Sequence, residues 1–582
     1  MPVTTARVIA DLPFVAAQVH DDRVAWRHRR DDGQWTDVTF TEVAEWVMEL
    51  ASGLVHLGVE PGDRVCVLSD TRPEWSAVEL AVLAAGGVVV PIYPSSAAEE
   101  CAWIISDSGA VVLVAETEAQ RAKVDSIRDR VPALRDVVVI DDGGLDDLRS
   151  LGRTSPLPGE LDDRRAAIDP DDPSVIIYTS GTTGPPKGCV LTHRNWLTMC
   201  RLSEELSYVL PDDVAYLFLP LAHVFAQIVH LGALYTGHTV AFYGGDTSRI
   251  VPELAEVRPT FLPSVPRIFE KIYTAATAGV PEDRLRQAVR VGLAVRELRA
   301  AGRPVPADLA AALDQVDPVF ARVRAIFGGR LRQALSGAAP ISVEVLEFFS
   351  AAGVPVLEGY GMSESTGVGT VNTLARHKLG SVGTFGMAGL QVKIAEDGEI
   401  LMSGPHVFAG YWNNPAATAE VLTDGWLHTG DLGEVDDDGF VTITGRKKDI
   451  IITAGGKNIA PANVENQLRQ SRWISHAVVY GDRKPYLVAL ITLDQDEIVP
   501  WATARGLPTD LPGLARTPEV QALVQQVVDE ANAHFAPVSQ VKRFTVLDRD
   551  LSHEDGELTP TLKVKRKVVH TAHARRYDDL YT

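Results

Sequence analysis

Residues 174 to 188 carry the densest chemistry in the chain: Ser-Val-Ile-Ile-Tyr-Thr-Ser-Gly-Thr-Thr-Gly-Pro-Pro-Lys-Gly. An apolar, β-branched run opens into hydroxyls and glycines and closes on one lysine, the pattern of a strand feeding a phosphate loop. Gly181 and Gly184 admit backbone torsions that other residues resist. Thr179, Ser180, Thr182 and Thr183 offer donors to anionic oxygens, and Lys187 brings a compact positive charge. A Walker A loop is excluded, because Lys187 sits between Pro186 and Gly188 instead of between a glycine and a hydroxyl residue that opens a helix. The next helix cap is Thr192, so the cradle is of another kind. A plain Gly-Thr turn joining two strands is the competing reading of such a cluster.

A second constellation lies downstream. Ser336-Gly337-Ala338-Ala339-Pro340 is small enough to let a flat purine approach the backbone. A predicted strand, Val354 to Tyr360, then ends in Glu358-Gly359-Tyr360-Gly361-Met362-Ser363-Glu364. Tyr360 can stack on a base, and Glu364 is a suitable oxygen ligand for a magnesium ion shared with phosphates. Between the two constellations, Val214 to Gly245 contains no Asp or Glu. A pocket there has nothing to pair with a substrate ammonium and suits an uncharged tail, since an unpaired buried charge is costly. His223 is the candidate lining residue of that pocket, with Gln227 one helical turn on at its mouth; a packed or surface role is the ordinary alternative for a lone His.

These residues carry a resemblance. Tyr178 to Gly188 resembles the signature loop of the adenylate-forming enzymes, the family of acyl-CoA synthetases, amino-acid adenylation domains and beetle luciferases. Glu358 to Glu364 resembles its second nucleotide motif, with Ser363 where Thr is common. Trp426-Leu427-His428-Thr429-Gly430-Asp431 resembles its ribose-binding segment, in which a carboxylate, here Asp431, accepts from two vicinal hydroxyls. In Gly445-Arg446-Lys447-Lys448-Asp449, Arg446 matches the ribose and phosphate contact and Lys448 the hinge position. By composition Leu558 to Lys567 is a solvated basic tail or a weak nucleic-acid patch. By resemblance Lys563 is the adenylation lysine and Arg566 a repeated basic residue, while Leu562 stands where many members have Gly.

Five motifs in the family's order make the chain most similar to a bacterial long-chain fatty acyl-CoA synthetase. The resemblance implies fatty acid, ATP and coenzyme A as substrates, with Glu364 binding magnesium and Lys563, Lys187, Glu364 and His223 as the catalytic set. It implies nucleotide contacts from Thr179 to Gly184, Lys187, Gly337 to Ala339, Glu358 to Ser363, Asp431 and Arg446, with Gly455 and Gly456 beside a pantetheine passage. An acyl carrier protein as acceptor and a noncatalytic acyl or nucleotide sensor are the alternatives.

The elements that must position these residues read as α/β. Val43, Val47, Leu50, Leu54 and Leu57 repeat at helical spacing behind Thr39 and Thr41. Strands at Arg64 to Leu68, Val88 to Tyr93 and Ala110 to Ala115 alternate with helices opened by Pro73 and by Ala97, the rhythm of a parallel sheet. Residues 281 to 333 predict a surface helical insertion with a solvated basic face, the minority reading being a contact for coenzyme A phosphates or a membrane surface. Beyond Asp449 the texture changes to a small α+β unit with a hairpin about Gly481-Asp482. The expected organisation is a large N-terminal domain over 1–444, a hinge at 445–449 and a small mobile domain over 450–582.

Length excludes a single core in 582 residues, and a formal charge of −22 argues against nucleic acid or an anionic bilayer as a partner through overall charge. Four cysteines without metal or disulfide spacing point to reduced thiols in the cytoplasm. No uninterrupted apolar run reads as a secretory signal or a membrane span, and contact with the inner face of the membrane is left open.

Overall fold

The computed structural model describes residues 3, 5–30, 32–179, 185–384, 389–559 and 561–582. The chain forms two compact units, one of Met1–Ala339, Leu346–Lys393 and Leu401–His428, the other of Pro340–Val345, Ile394–Ile400 and Thr429–Thr582. The expected hinge, 445–449, falls inside the second unit, where Gly445 and Arg446 pair with Leu432 and Asp431.

The first unit is built on two sheets. In the seven-stranded one, Arg64–Leu68 lies between Val88–Ile92 and Val112–Ala115, all parallel, with the helices Pro73–Ala84 and Ala98–Ser108 as connections. Nearly every residue of these strands is buried, as expected where helices cover both faces of a parallel sheet. Ahead of them the helix Phe40–His56 starts on a capping box: Thr39 Oγ1 accepts from the Glu42 N–H at 3.2 Å, and the Glu42 carboxylate accepts from the Thr39 N–H at 2.7 Å. Such a cap contributes about 1 kcal/mol.

Two features of these sheets set the candidate site. Pro173–Thr179 and Lys187–Thr192 are antiparallel neighbours with Thr179 opposite Lys187. The glycine-rich segment therefore joins two strands of a hairpin, the connection of the competing turn reading, and no helix follows until Thr192 caps His193–Glu205. Ser180, Gly181, Thr182, Thr183 and Gly184 lie outside the described residues. In the eight-stranded sheet Gln333–Ser336 and Val356–Tyr360 run parallel with Ser336 opposite Glu358, which brings 337–339 and 359–364 to the carboxyl end of one strand pair. That is where ligands bind open α/β sheets.

Within 281–333 the helices are Glu282–Ala300 and Ala307–Ile326, and the expected helical bound overruns them, since Gln333 already opens the strand Gln333–Ser336. The basic residues of 281–333 divide in role: Arg284, Arg286 and Arg290 are exposed, whereas Arg324 pairs with Asp317 at 2.8 Å and Arg332 with Asp213 at 2.5 Å. Among the described residues no helix is long and apolar enough to cross a membrane.

The second unit packs the helices Pro461–Arg469 and Pro518–Asn532 on a sheet of Ile474–Tyr480, Leu487–Leu493 and Val541–Val546. Val464, Leu468, Ile491, Val520 and Val524 form its core. The expected hairpin is present, with Tyr480 opposite Val488.

One close approach shapes the loop that leads to Glu364. A Cβ on Gly361 would stand 2.2 Å from the Gly367 carbonyl oxygen, so this glycine is required by the packing of the loop on itself. Gly361→Ala is expected to lower stability by about 1–3 kcal/mol, read as a fall in the thermal unfolding midpoint.

Candidate functional site

Lys187 opens its strand with its ammonium 5.0 Å from the centre of the Tyr411 ring. The Tyr411 hydroxyl donates to Glu364 Oε1 at 2.7 Å. Tyr411 reaches this place because Gly410–Tyr411 pairs with the Lys187–Thr192 strand, Tyr411 opposite Cys189. Glu364 sits on the single 3-10 turn Ser363–Ser365 and is 8% exposed; its carbonyl accepts from the Phe408 N–H at 2.9 Å. Burial and the Glu364 carboxylate push both the Tyr411 phenol and the Cys189 thiol well above their ordinary values, so both stay protonated. A cation, a phenol and a carboxylate thus line one corner beside the hairpin. The sequence reading missed Tyr411, because strand register brings position 411 opposite 189, and the packing of the 363–365 turn on Phe408 brings 364 beside it.

The carboxyl end of the eight-stranded sheet supplies a second wall. Gly337 is buried, and a Cβ there would meet only ordinary contacts at 3.6 Å or more, so the fold itself does not demand a glycine. Ala338 is exposed and holds a left-handed φ of 68°, next to the exposed Ala339. Gly359 pairs with Val371 and Tyr360 with Thr370; Met362 follows, its N–H donating to Ser365 Oγ at 3.1 Å, and Ser363 is buried. Glu358 is 9% exposed, its Oε2 accepting from the Gly380 N–H at 3.1 Å; burial pushes its carboxyl up to about 8 against that bond.

His223 caps the helix Val224–Thr236, with Nδ1 accepting from the Phe225 N–H at 3.2 Å, which places the proton of the neutral ring on Nε2. Gln227 departs from the expected pocket mouth: it is fully buried and its Nε2 donates to the Leu221 carbonyl at 2.9 Å, bracing the turn ahead of His223.

In the second unit Asp431 and Arg446 are cross-strand partners joined at 2.8 Å, Asp431 buried and the Arg446 side chain half exposed. Lys448 is exposed. Gly455 and Gly456 form an exposed turn, closed by the Gly456 N–H on the Thr453 carbonyl, with open space where a Gly456 side chain would be. Lys563 is exposed beside Leu562, whose φ of 58° is left-handed. That torsion explains why a glycine suits position 562. Arg566 makes a buried pair with Glu465 at 2.5 and 2.7 Å and serves the fold.

The chain matches the AMP-binding enzyme family over residues 14–412 and the AMP-binding enzyme C-terminal domain over residues 448–582. It belongs to the AMP-binding enzyme family. It is 42% identical to the long-chain-fatty-acid–CoA ligase FadD15 of Mycobacterium bovis, with 98% of each chain covered. It is 30% identical to human long-chain-fatty-acid–CoA ligase 1 over 97% of this chain and 85% of that relative. Among solved structures it is similar in fold to the adenylation domain of a carboxylate reductase from Mycobacterium chelonae, with TM-score 0.77, 22% identity and coverage of 99% and 91% of the two chains. A Mycobacterium tuberculosis fatty acyl CoA synthetase gives TM-score 0.65 at 23% identity, with coverage of 98% and 99%.

Glu358 carries a pH dependence. A carboxyl whose folded pKa exceeds its unfolded one binds more protons when folded, so stability falls as pH rises from the unfolded value of 4.5 towards about 8. Glu358→Gln removes the charge and keeps the acceptor for Gly380. The variant is expected to match the wild type in unfolding midpoint near about pH 5 and to exceed it near about pH 9.

Proposed function

We propose that the protein activates a medium- to long-chain fatty acid with ATP, forming an acyl-adenylate, and then transfers the acyl group to coenzyme A with release of AMP. The observation that carries this reading is the similarity to FadD15, a long-chain-fatty-acid–CoA ligase, along 98% of both chains. The acid-free stretch from Val214 to Gly245 supports an uncharged tail.

The first half-reaction brings two anions together, a carboxylate and a triphosphate, so its chief requirement is fixed positive charge at the phosphates. Lys187, oriented over Tyr411, neutralises the β and γ phosphates. Glu364, held by Tyr411, would bind magnesium together with phosphate oxygens; one carboxylate plus substrate phosphates is the usual donor set for that ion, which neutralises phosphate charge when bound. Gly337 to Ala339 and Tyr360 receive the adenine. Asp431 accepts from the ribose hydroxyls, with Arg446 orienting its carboxylate. Lys563 stabilises the charge that develops between the carboxylate and the α-phosphate.

The second half-reaction needs Lys563 withdrawn and a thiol admitted. Rotation about 445–449 of the part of the second unit that follows would do both, with Gly455 and Gly456 bordering the pantetheine where the open space beside Gly456 leaves room for a thin ligand. The four cysteines are buried and unpaired, in keeping with a cytoplasmic protein.

Two experiments test this reading. Lys563→Ala is expected to lower acyl-adenylate formation by about 100-fold or more while sparing thioester formation from supplied acyl-adenylate; equal loss in both halves would contradict the role. Incubation with ATP, a fatty acid and free coenzyme A is expected to yield acyl-CoA by mass spectrometry. Accumulation of acyl-adenylate without thioester would favour a carrier-protein phosphopantetheine as acceptor.

A further inference from the structure

In the second unit the segment carrying Lys563 is a closed loop. The Lys565 N–H donates to the Glu557 carbonyl at 2.7 Å, Leu558 bridges Val564, and the Thr559 N–H donates to the Lys563 carbonyl at 2.8 Å. The Lys563 N–H returns to Thr559 Oγ1 at 3.0 Å. These bonds set the shape of the loop; Leu558 and Val564 pack it against the apolar cluster of Val478, Leu490, Leu551 and Tyr577, and its base has a polar grip as well.

That grip is Glu557. Its side chain is 1% exposed and receives the Arg549 guanidinium through both oxygens, at 2.6 and 2.9 Å. The same carboxylate meets His573 Nε2 at 2.9 Å and the Ser552 N–H at 3.3 Å. Burial would raise the Glu557 carboxyl; Arg549 and His573 outweigh it and hold the group below its ordinary range. Each partner leads elsewhere in the unit. Arg549 also donates to the Asp550 carbonyl at 2.9 Å, and the Asp550 carboxylate accepts from Ser475 and Thr492, both at 2.6 Å, on two strands of the sheet. His573 stands between the two last helices, Arg566–Ala572 and Ala574–Asp579.

We propose that Glu557 is the positioning residue for Lys563, tying the base of its loop to the sheet on one side and to the terminal helices on the other. The proposal rests on the reading of Lys563 as the lysine of the adenylation step. A bidentate guanidinium–carboxylate pair fixes two planar groups relative to each other, and a buried carboxylate that lost it would have to move. Displacing a charge-stabilising group by about 1 Å costs on the order of 100-fold in rate.

The test uses full-length Glu557→Gln and Glu557→Asp, with the two half-reactions measured separately. For the Gln variant, pyrophosphate release with ATP and fatty acid is expected to fall by about 10–100-fold in kcat, with the KM for ATP within about 3-fold. Thioester formation from supplied acyl-adenylate should stay close to wild type, and the Asp variant should recover part of the loss. Hydrogen exchange of residues 557–565 should be faster in the Gln variant. If that variant does not fold, Arg549→Met removes the grip from its more exposed side and is expected to show the same split. Equal loss in both halves, no loss in the first, or unchanged exchange would overturn the proposal. Should the wild type release no pyrophosphate with any fatty acid, the functional reading fails, while the exchange comparison still decides whether Glu557 orders the loop.

Discussion

Electrostatic repulsion between a carboxylate and a polyphosphate is the constraint that the proposed reaction must overcome. In water such anions stay apart; in a partly buried corner, fixed cations and oriented dipoles hold them together without reorganising. Tyr411 is central to that corner. Its ring lies under the Lys187 ammonium while its hydroxyl holds Glu364, so one aromatic side chain sets the direction of a cation and of a candidate metal ligand. Burial keeps the phenol protonated, which keeps it a donor to the carboxylate. The sheet does the rest, since pairing Gly410–Tyr411 on the strand that Lys187 opens makes the geometry a consequence of register.

Glycines in the site answer to two different demands. Gly361 is pressed against the Gly367 carbonyl and is needed for the loop to close. Gly337 has room for a methyl group, so its smallness is not required by packing. The same distinction separates basic residues in the second unit: Arg566 is buried on Glu465 and holds the fold, whereas Lys563 is exposed on a loop whose backbone is closed by its own hydrogen bonds. Leu562 pays for that closure with a left-handed torsion costing on the order of 1 kcal/mol.

Much of this architecture was legible where signals are local. Thr39, Pro73 and Thr192 mark helix starts through a capping hydroxyl or a fixed φ, and the helices begin there, two of them on capping boxes completed by Glu42 and Asn195. Arg64–Leu68 reads as a parallel strand because strands and helices alternate after it, and its burial fits a sheet covered on both faces. For the strands that flank the glycine-rich segment, two readings stood side by side, and the antiparallel pairing of Thr179 with Lys187 depends on strand direction, which local sequence does not specify. Contacts between distant positions left no trace at all. Tyr411 with Glu364 and Glu465 with Arg566 are made by sheet register and helix packing, and Arg549 with Glu557 and His573 by a loop folding back towards the last helices. Gln227 shows the converse error: helical spacing from His223 suggested a shared pocket, whereas its side chain turns inward to the Leu221 carbonyl.

The central claim is that this chain joins a fatty acid to the α-phosphate of ATP, and the exchange of labelled pyrophosphate into ATP measures that step alone. With a graded series of saturated fatty acids, exchange that requires the acid and peaks at medium to long chain length is the predicted result. Exchange that fails with every fatty acid, or that proceeds equally without one, would contradict the account.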